Sequence, residues 1–161
     1  MARFVLVHGA FGGAWCWEPV VERLRAAGHE AEAFDLPGAG SDPTPLAEVT
    51  LARYAARVCE ALGAGPPAVL AGQSMGGMAI TQAAADRPDR VAALAYVSAF
   101  LPWEGASLTA LTHEPEAAGD AVQANLSVEG DPPIARLDPE AAVHAIYTCA
   151  DPDRARAAAA R

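Results

Sequence analysis

The sequence predicts an α/β protein whose parallel sheet is flanked by helices, and two observations carry this prediction. Short continuous apolar runs occur at residues 4–7, 68–71 and 91–97, as expected of strands that are buried on both faces of a sheet. Between these runs, apolar residues recur every three or four positions, which is the spacing of an amphipathic helix. Strands and helices that alternate in this way form a parallel sheet with right-handed crossovers.

Each predicted helix of the N-terminal half has an apolar face and a signal at one or both ends. Gly28 follows the first helix, whose apolar face comprises Trp17, Val20, Val21 and Leu24. A second strand is expected at residues 29–34 and a loop at residues 35–41. Thr50 is a favourable N-cap for the next helix and Gly63 follows its end; the apolar face consists of Leu51, Tyr54, Ala55, Val58 and Leu62.

Ser74 stands where a predicted strand meets a predicted helix, in the pattern Gly72-Gln73-Ser74-Met75-Gly76. A Gly-x-Ser-x-Gly sequence at such a junction is typical of a nucleophile elbow, in which a sharp turn presents the serine hydroxyl above the sheet. Glycines two residues before and after the serine let the strand and the helix approach closely. The N–H of Met75 is directed to the same place and can stabilise an oxyanion.

A second glycine-rich stretch, residues 8–15, follows the first strand. It does not fit the dinucleotide fingerprint, because Phe11 stands where that pattern needs glycine, and no Gly-Lys-Ser/Thr follows for a P-loop. A phosphate-binding role is therefore not favoured.

The pattern changes after residue 99. Residues 101–136 mix proline, glycine and acidic residues with scattered leucines, and no strand is expected there. Asp138 and Asp151 each precede a proline, a combination that predicts the N-terminus of a helix. The sequence thus predicts an N-terminal α/β core at residues 1–99 and a helical cap over the carboxyl edge of the sheet at residues 100–161.

Composition narrows the classes of function. The 161 residues carry a formal net charge of −9, which argues against nucleic acids and anionic membrane surfaces as partners. No apolar run approaches the roughly 18 residues of a membrane span, and no signal peptide is expected. Cys16, Cys59 and Cys149 are odd in number and lack metal-ligand spacing, so we expect packed, reduced thiols, a cytoplasmic location and no metal.

Several motifs together resemble the α/β-hydrolase superfamily, in particular its small esterase branch, which includes plant methyl-ester esterases and hydroxynitrile lyases. The resemblance extends from the N-terminus into the predicted cap. It rests on Phe4-Val5-Leu6-Val7-His8-Gly9-Ala10, Gly12-Gly13-Ala14-Trp15-Cys16-Trp17, Ala27-Gly28-His29, Asp35-Leu36, Gly72-Gln73-Ser74-Met75-Gly76-Gly77 and His144-Ala145-Ile146-Tyr147-Thr148-Cys149-Ala150-Asp151-Pro152-Asp153.

The resemblance implies an esterase that uses no cofactor and acts on a small ester. Ser74 would attack the ester carbonyl, while the N–H groups of Met75 and Ala10 would hold the oxyanion. The lyase branch typically has threonine where this chain has Gly9, which favours the esterase side. Phe11, Leu101 and Trp103 are candidates for the substrate pocket, although Leu101 and Trp103 are equally consistent with the core of the cap.

The acid and the histidine of a hydrolase triad follow the serine on loops after the last two strands of the sheet. The chain reaches Arg161 before any such strand, so we expect both residues beyond it and the last strands of the fold to be missing. His113 and His144 are the only histidines after Ser74, and each is more consistent with a surface or packing role than with that of the base. Glu104 is a weak candidate for the acid.

Two further residues near the predicted site have structural explanations. His8 is expected to shape the candidate oxyanion loop by hydrogen bonding, and Asp35 to fix a loop as an acceptor. A catalytically incomplete fragment or ligand-binding module, and a lyase of the same fold, remain the alternative functions. Without an outer neighbour, the strand at residues 91–97 would expose an unpaired apolar edge through which the chain would self-associate.

Overall fold

The computed structural model describes residues 1–148 and 150–161, and they form two compact units. The first unit comprises Met1–Leu108 and the second Thr109–Arg161. The expected division between core and cap, at residues 99 and 100, stays a prediction. Cys149, expected to be a packed thiol, lies outside the described residues.

The first unit is built on a parallel four-stranded sheet, which confirms the predicted fold class. Its strands in spatial order are β2, β1, β3 and β4, and all three pairings are parallel. Their bounds are β1 Arg3–Val7, β2 Glu30–Ala33, β3 Ala68–Ser74 and β4 Val91–Ala99. The central β1 is buried as its apolar run predicts, with Val5, Leu6 and Val7 at most 1% exposed.

Helices cover both faces of this sheet, and the alternation of side chains along β1 divides the core between them. Leu6 packs with Trp17 and Val21 on the face covered by α1, Glu18–Ala26. Val5 and Val7 belong to the core on the opposite face, which includes residues of α2, Leu51–Leu62, and α3, Gly76–Asp86. The predicted face of the first helix is therefore confirmed.

The ends of α2 also agree with prediction. The Thr50 hydroxyl accepts a hydrogen bond from the Arg53 amide at 3.2 Å, and Gly63 ends the helix with φ of +54°. The prediction that Leu51 lies on the buried face was wrong, because its side chain is 37% exposed. It occupies the first position of the helix, whereas Ala55, Val58 and Leu62 on the expected face are fully buried.

Two of the three cysteines can be placed. Cys59, on α2, is half-buried and packs against the core. Cys16 is exposed, contrary to the expectation that it would be packed. Cys16 lies in a 3-10 turn, Ala14–Trp17, in which the next residue, Trp17, takes the buried position.

The second unit contains a β-hairpin as well as helices, so the expectation of no strand before residue 136 was wrong. Strands β5, Leu126–Glu129, and β6, Ile134–Leu137, pair antiparallel, and Gly130 in the connection has φ of +87°. Each strand has only four residues, too few for the apolar alternation to be recognised among prolines and acids.

The predicted helix starts in this unit are confirmed. Asp138 accepts hydrogen bonds from the first turn of α5, Pro139–Ala145, and Asp151 does the same for α6, Pro152–Ala159. A shorter helix, α4, spans Leu108–Thr112.

Candidate active site

Ser74 ends β3 in a strained backbone conformation, and α3 begins two residues later. Its φ of +51° lies in the left-handed region, which costs an L-residue roughly 1–2 kcal/mol. The Ser74 side chain is half-buried at the carboxyl edge of the sheet. A non-glycine residue held in this way at the junction of strand and helix has the geometry of a nucleophile elbow.

The glycines around Ser74 are required by close backbone contacts. A β-carbon at Gly72 would lie 2.7 Å from the carbonyl group of Gly76, and one at Gly76 would lie 2.6 Å from the Val7 carbonyl oxygen. Real β-carbons essentially never approach other heavy atoms so closely. The first turn of α3 therefore packs directly on the backbones of β1 and β3, which brings the loop after β1 beside the serine.

That loop, residues 8–14, which we call the candidate oxyanion loop, passes alongside Ser74. A β-carbon at Gly9 would lie 2.8 Å from Cβ of Ser74 and 2.5 Å from Oε1 of Gln73, so only glycine fits there without a shift. The next residues, Ala10 and Phe11, form a turn in which Phe11 has φ of +59°. Among the described residues, neither the Ala10 nor the Met75 amide donates to a backbone carbonyl outside the helices and strands, and their assignment to an oxyanion hole stays a prediction.

His8 fixes the start of the candidate oxyanion loop from within the core. Its side chain is 1% exposed, with Nδ1 lying 2.8 Å from the Gly9 carbonyl oxygen, while the Leu36 amide donates to Nε2 at 3.0 Å. Because the Gly9 carbonyl can only accept and the Leu36 amide can only donate, Nδ1 carries the proton, Nε2 carries none and the ring is neutral. Burial lowers the pKa of His8 below its usual value, against the opposing effects of the Gly9 carbonyl and the Asp35 carboxylate. The expected loop-shaping role of His8 agrees with these contacts.

Asp35 fixes the other end of the same loop. Its Oδ1 accepts from the Ala14 amide at 2.8 Å, and its Oδ2 accepts from the Ser41 amide at 2.9 Å and the Ser41 hydroxyl at 3.0 Å. Burial alone would raise the pKa of this carboxyl, but the hydrogen bonds from Ser41 and Ala14 together lower it below its usual value. Asp35 is thus an ionised acceptor that joins two loops.

The match to a family model decides the classification. The model described as alpha/beta hydrolase fold matches residues 2–128, which is most of the chain. The chain belongs to the alpha/beta hydrolase fold family.

This α/β hydrolase is similar in sequence to plant esterases and to a plant hydroxynitrile lyase. It is 41% identical over 117 residues to Esterase PIR7B of Oryza sativa subsp. japonica, covering 70% of the chain and 44% of the relative. It is 39% identical over 104 residues to the alpha-hydroxynitrile lyase of Arabidopsis thaliana, covering 62% of the chain and 40% of the relative. The chain therefore spans less than half the length of these curated relatives.

The solved structure of polyneuridine aldehyde esterase superposes on nearly all of this α/β hydrolase. The TM-score is 0.84 at 30% sequence identity, and the alignment covers 98% of the chain and 66% of the esterase. The resemblance stated from the motifs is confirmed by these similarities, and the aligned part is the partial fold that was expected.

The remaining predicted residues of this α/β hydrolase are mostly at the surface. The side chains of Phe11, Leu101 and Trp103, the candidates for the substrate pocket, are 41%, 65% and 53% exposed. Glu104, the weak candidate for the acid, is exposed as well. Their assignment to a substrate pocket stays a prediction.

The two histidines after Ser74 belong to the second unit. His113 follows α4 and its Nδ1 lies 2.7 Å from the Thr109 carbonyl oxygen, while His144 is on α5; both side chains are exposed. These positions agree with the surface role preferred for them.

One residue near the site was missed by the sequence reasoning. Ser98, close to the end of β4, has φ of +44°, and no residue pattern in the sequence marks a serine for that conformation. Only the pairing of β4 with β3 reveals it.

The described residues contain neither a metal-binding cluster nor a membrane-spanning helix. No group of three or more histidine, cysteine, aspartate or glutamate side chains in residues 1–148 and 150–161 is arranged to hold a metal ion. Over the same residues, no helix is both long enough and apolar enough to span a membrane.

Proposed function

We propose that this α/β hydrolase is a serine carboxylesterase of small ester substrates. The observation that carries the proposal is the left-handed Ser74 at the end of β3, with Gly9 of the candidate oxyanion loop against its side chain. The similarity to plant esterases supports the same class of reaction.

In the proposed reaction the Ser74 hydroxyl loses its proton to a general base as Oγ attacks the ester carbonyl carbon. The carbonyl oxygen becomes an oxyanion that accepts hydrogen bonds from the N–H groups of Met75 and Ala10. Collapse of this intermediate expels the alcohol, which takes up the proton, and leaves an acyl group on Ser74. Water then hydrolyses the acyl-enzyme by the same steps.

The base and its acid partner are proposed to lie beyond Arg161, on loops after further strands. A serine hydroxyl is a weak nucleophile without a base within hydrogen-bond reach. The similar esterases and the similar lyase are longer than this chain, which supports the proposal. We therefore expect the 161-residue chain alone to bind ligands without ordinary esterase turnover.

The lyase alternative is less well supported, because the site has little room at position 9. The lyase branch typically carries threonine there, and a β-carbon at Gly9 would lie within 3.0 Å of three atoms of Gln73 and Ser74. A lyase with a side chain at this position would need a different path of the candidate oxyanion loop.

Mutation of Ser74 tests the proposed nucleophile. The test protein is the reading frame continued past Arg161 to the length of the relatives, which we call the extended form. Ser74→Ala in the extended form should abolish hydrolysis of p-nitrophenyl acetate, whereas Ser127→Ala, at an exposed position on β5, should leave it unchanged. Retention of most activity in Ser74→Ala would refute the assignment.

The 161-residue chain tests the location of the base. Loss of a triad histidine typically costs about a millionfold in turnover, so labelling of this chain by a fluorophosphonate should be far slower than labelling of the extended form. Rapid turnover that is lost in His113→Ala or His144→Ala would show instead that the second unit supplies the base.

We also propose a small ester as the partner and the cytoplasm as the location. The net charge of −9 is unfavourable for nucleic acids and anionic membranes, and the odd number of cysteines is typical of a reducing compartment. Fractionation of cells that express the protein tests the location.

A further inference from the structure

Three non-glycine residues with positive φ lie at or after the carboxyl ends of neighbouring strands. Among the described residues they are Phe11 at +59°, Ser74 at +51° and Ser98 at +44°. Phe11 follows β1, Ser74 ends β3 and Ser98 is the penultimate residue of β4, and these strands are neighbours in the order β1, β3, β4. Left-handed residues cluster at functional sites, and Ser98 has no role in the reaction described above.

Ser98 is the extra residue of a β-bulge directly beside the nucleophile. In the pairing of β3 with β4, Gln73 is opposite Val97 but Ser74 is opposite Ala99, so the register shifts at Ser98. A bulge bends its strand and redirects the residues that follow, and bulges are frequent beside active sites.

The residues redirected by the bulge contact the elbow at two points. The Phe100 amide donates a hydrogen bond to the Ser74 carbonyl oxygen at 3.1 Å. The Phe100 carbonyl oxygen lies against Gly77 in the first turn of α3, where a β-carbon would collide with it. The segment after Ser98 therefore fixes the backbone of Ser74 and packs against the helix that follows.

β4 contains a second irregularity that can be compared with the bulge at Ser98. A second register shift occurs at Ala92, between the pairs Ala68 with Val91 and Val69 with Ala93. Ala92 has no positive φ and lies at the opposite end of the strand. The left-handed conformation is thus specific to the bulge beside Ser74 and is not a general property of the strand.

We propose that Ser98 is a positioning residue whose left-handed backbone, rather than its hydroxyl, directs the Phe100 amide onto the Ser74 carbonyl and so holds the nucleophile in place. The proposal rests on the proposed role of Ser74. The Ser98 side chain is exposed and its hydroxyl makes no hydrogen bond to the described residues. We therefore assign the positioning role to the backbone of Ser98.

Amide hydrogen exchange of Phe100 in the 161-residue chain tests the structural part of the proposal. Ser98→Gly keeps the left-handed conformation accessible, whereas a β-branched residue disfavours it, so protection of the Phe100 amide should persist in Ser98→Gly and fall about tenfold or more in Ser98→Val. Ala92→Val is the matched control and should retain protection. Unchanged protection in Ser98→Val would overturn the proposal.

Kinetics of the extended form test the effect on the reaction. We expect Ser98→Val to lower kcat for p-nitrophenyl acetate about tenfold to a hundredfold with little change in KM, because misplacement of reacting groups affects the chemical step. Ser98→Gly should restore kcat to near the original value. A loss in Ser98→Gly equal to that in Ser98→Val would assign the effect to the hydroxyl and overturn the proposal.

If Ser98→Val does not fold, two milder variants test the same proposal. Asparagine enters the left-handed region more readily than alanine, so Phe100 should be better protected in Ser98→Asn than in Ser98→Ala, and the reverse order would overturn the proposal. The proposed function is tested separately. If the extended form is inactive while Phe100 responds to these variants as expected, the assignment of Ser74 fails and the hold of the bulge on its backbone stands.

Discussion

The Leu36 amide donates a hydrogen bond to Nε2 of His8 at 3.0 Å, which ties the loop after β2 to the start of the candidate oxyanion loop. A peptide N–H can only donate, so this bond requires Nε2 to be unprotonated. Protonation of His8 would break the bond and leave a charge in a side chain that is 1% exposed. The neutral state of His8 is thus part of the folded structure.

His8 should make stability depend on pH in the mildly acidic range. Because the pKa of His8 is lower in the folded than in the unfolded chain, the unfolded state binds the extra proton first as pH falls. The free energy of unfolding should therefore be at its full value above about pH 6.5, the usual pKa of histidine, and decline below it. Urea unfolding between pH 5 and 7.5 measures this dependence.

Two variants distinguish the contribution of His8 to this pH dependence from the contributions of other titrating groups. His8→Gln should be less stable than the parent at pH 7.5 and should lose most of the decline between pH 6.5 and 5. His144→Gln, at an exposed position on α5, should leave the decline as it is. A decline that persists in His8→Gln would show that another group is responsible.

Asp35 should matter more than a neighbouring aspartate that also accepts backbone hydrogen bonds. Asp42 accepts from the amides of Gly38 and Thr44 within its own loop, whereas Asp35 joins that loop to Ala14. Asp35→Ala should lower the free energy of unfolding by about 2 kcal/mol, since hydrogen bonds to charged groups contribute about 1.5–3 kcal/mol.

Asp42→Ala serves as the control for this prediction. It should cost less stability and leave the kcat of the extended form unchanged, whereas Asp35→Ala should also lower kcat by loosening the candidate oxyanion loop. Equal effects of the two variants on kcat would contradict a link between Asp35 and that loop.

A methyl group at position 9 should displace the candidate oxyanion loop from Ser74. Gly9→Ala would place Cβ 2.8 Å from Cβ of Ser74 and 3.0 Å from the Gln73 carbonyl oxygen, and these groups belong to the elbow itself. We expect kcat/KM of the extended form to fall about tenfold or more, because displacements of about 1 Å can cost a hundredfold.

Gly65→Ala is the control for crowding alone. Its closest contact would be Nη1 of Arg3 at 2.9 Å, and Arg3 begins β1 at the end of the sheet opposite to Ser74. The extended form with Gly65→Ala should retain its activity. Full activity in Gly9→Ala would mean that the loop relaxes without cost.

The outer edge of β4 should make the 161-residue chain self-associate. No strand of the described residues pairs with this edge, and Leu94 and Val97 expose apolar side chains on opposite faces, at 37% and 45%. Unpaired edges of this kind pair with a second copy of the chain. Sedimentation velocity should show dimers or larger species at micromolar concentrations.

Charge on the strand should suppress this association. Val97→Lys should shift the population toward monomer, whereas Val128→Lys, at a position 64% exposed on β5, should not. A parent chain that sediments as a single monomer and melts cooperatively would contradict the prediction.

The sequence predicts the parts of this protein that depend on local chemistry. The apolar run of β1, the Thr50 cap and the junction at Ser74 follow from residue types at fixed spacing, and the structure has each of them. The short β-hairpin and the left-handed Ser98 depend on pairing between distant residues. Position 98 holds serine and not glycine or asparagine, the residues that favour left-handed backbone. Residue type alone therefore does not predict that conformation.

The direct contact between α3 and the sheet limits how this site can be remodelled. Gly72, Gly76 and Gly77 leave no layer of side chains between the helix start and the surrounding backbone, so each of these positions rejects even one added carbon. Libraries that seek new substrates will find no useful variation beneath the serine. If Phe11, Leu101 and Trp103 line the substrate pocket as predicted, changes of specificity are expected on the solvent side, where these three side chains are exposed.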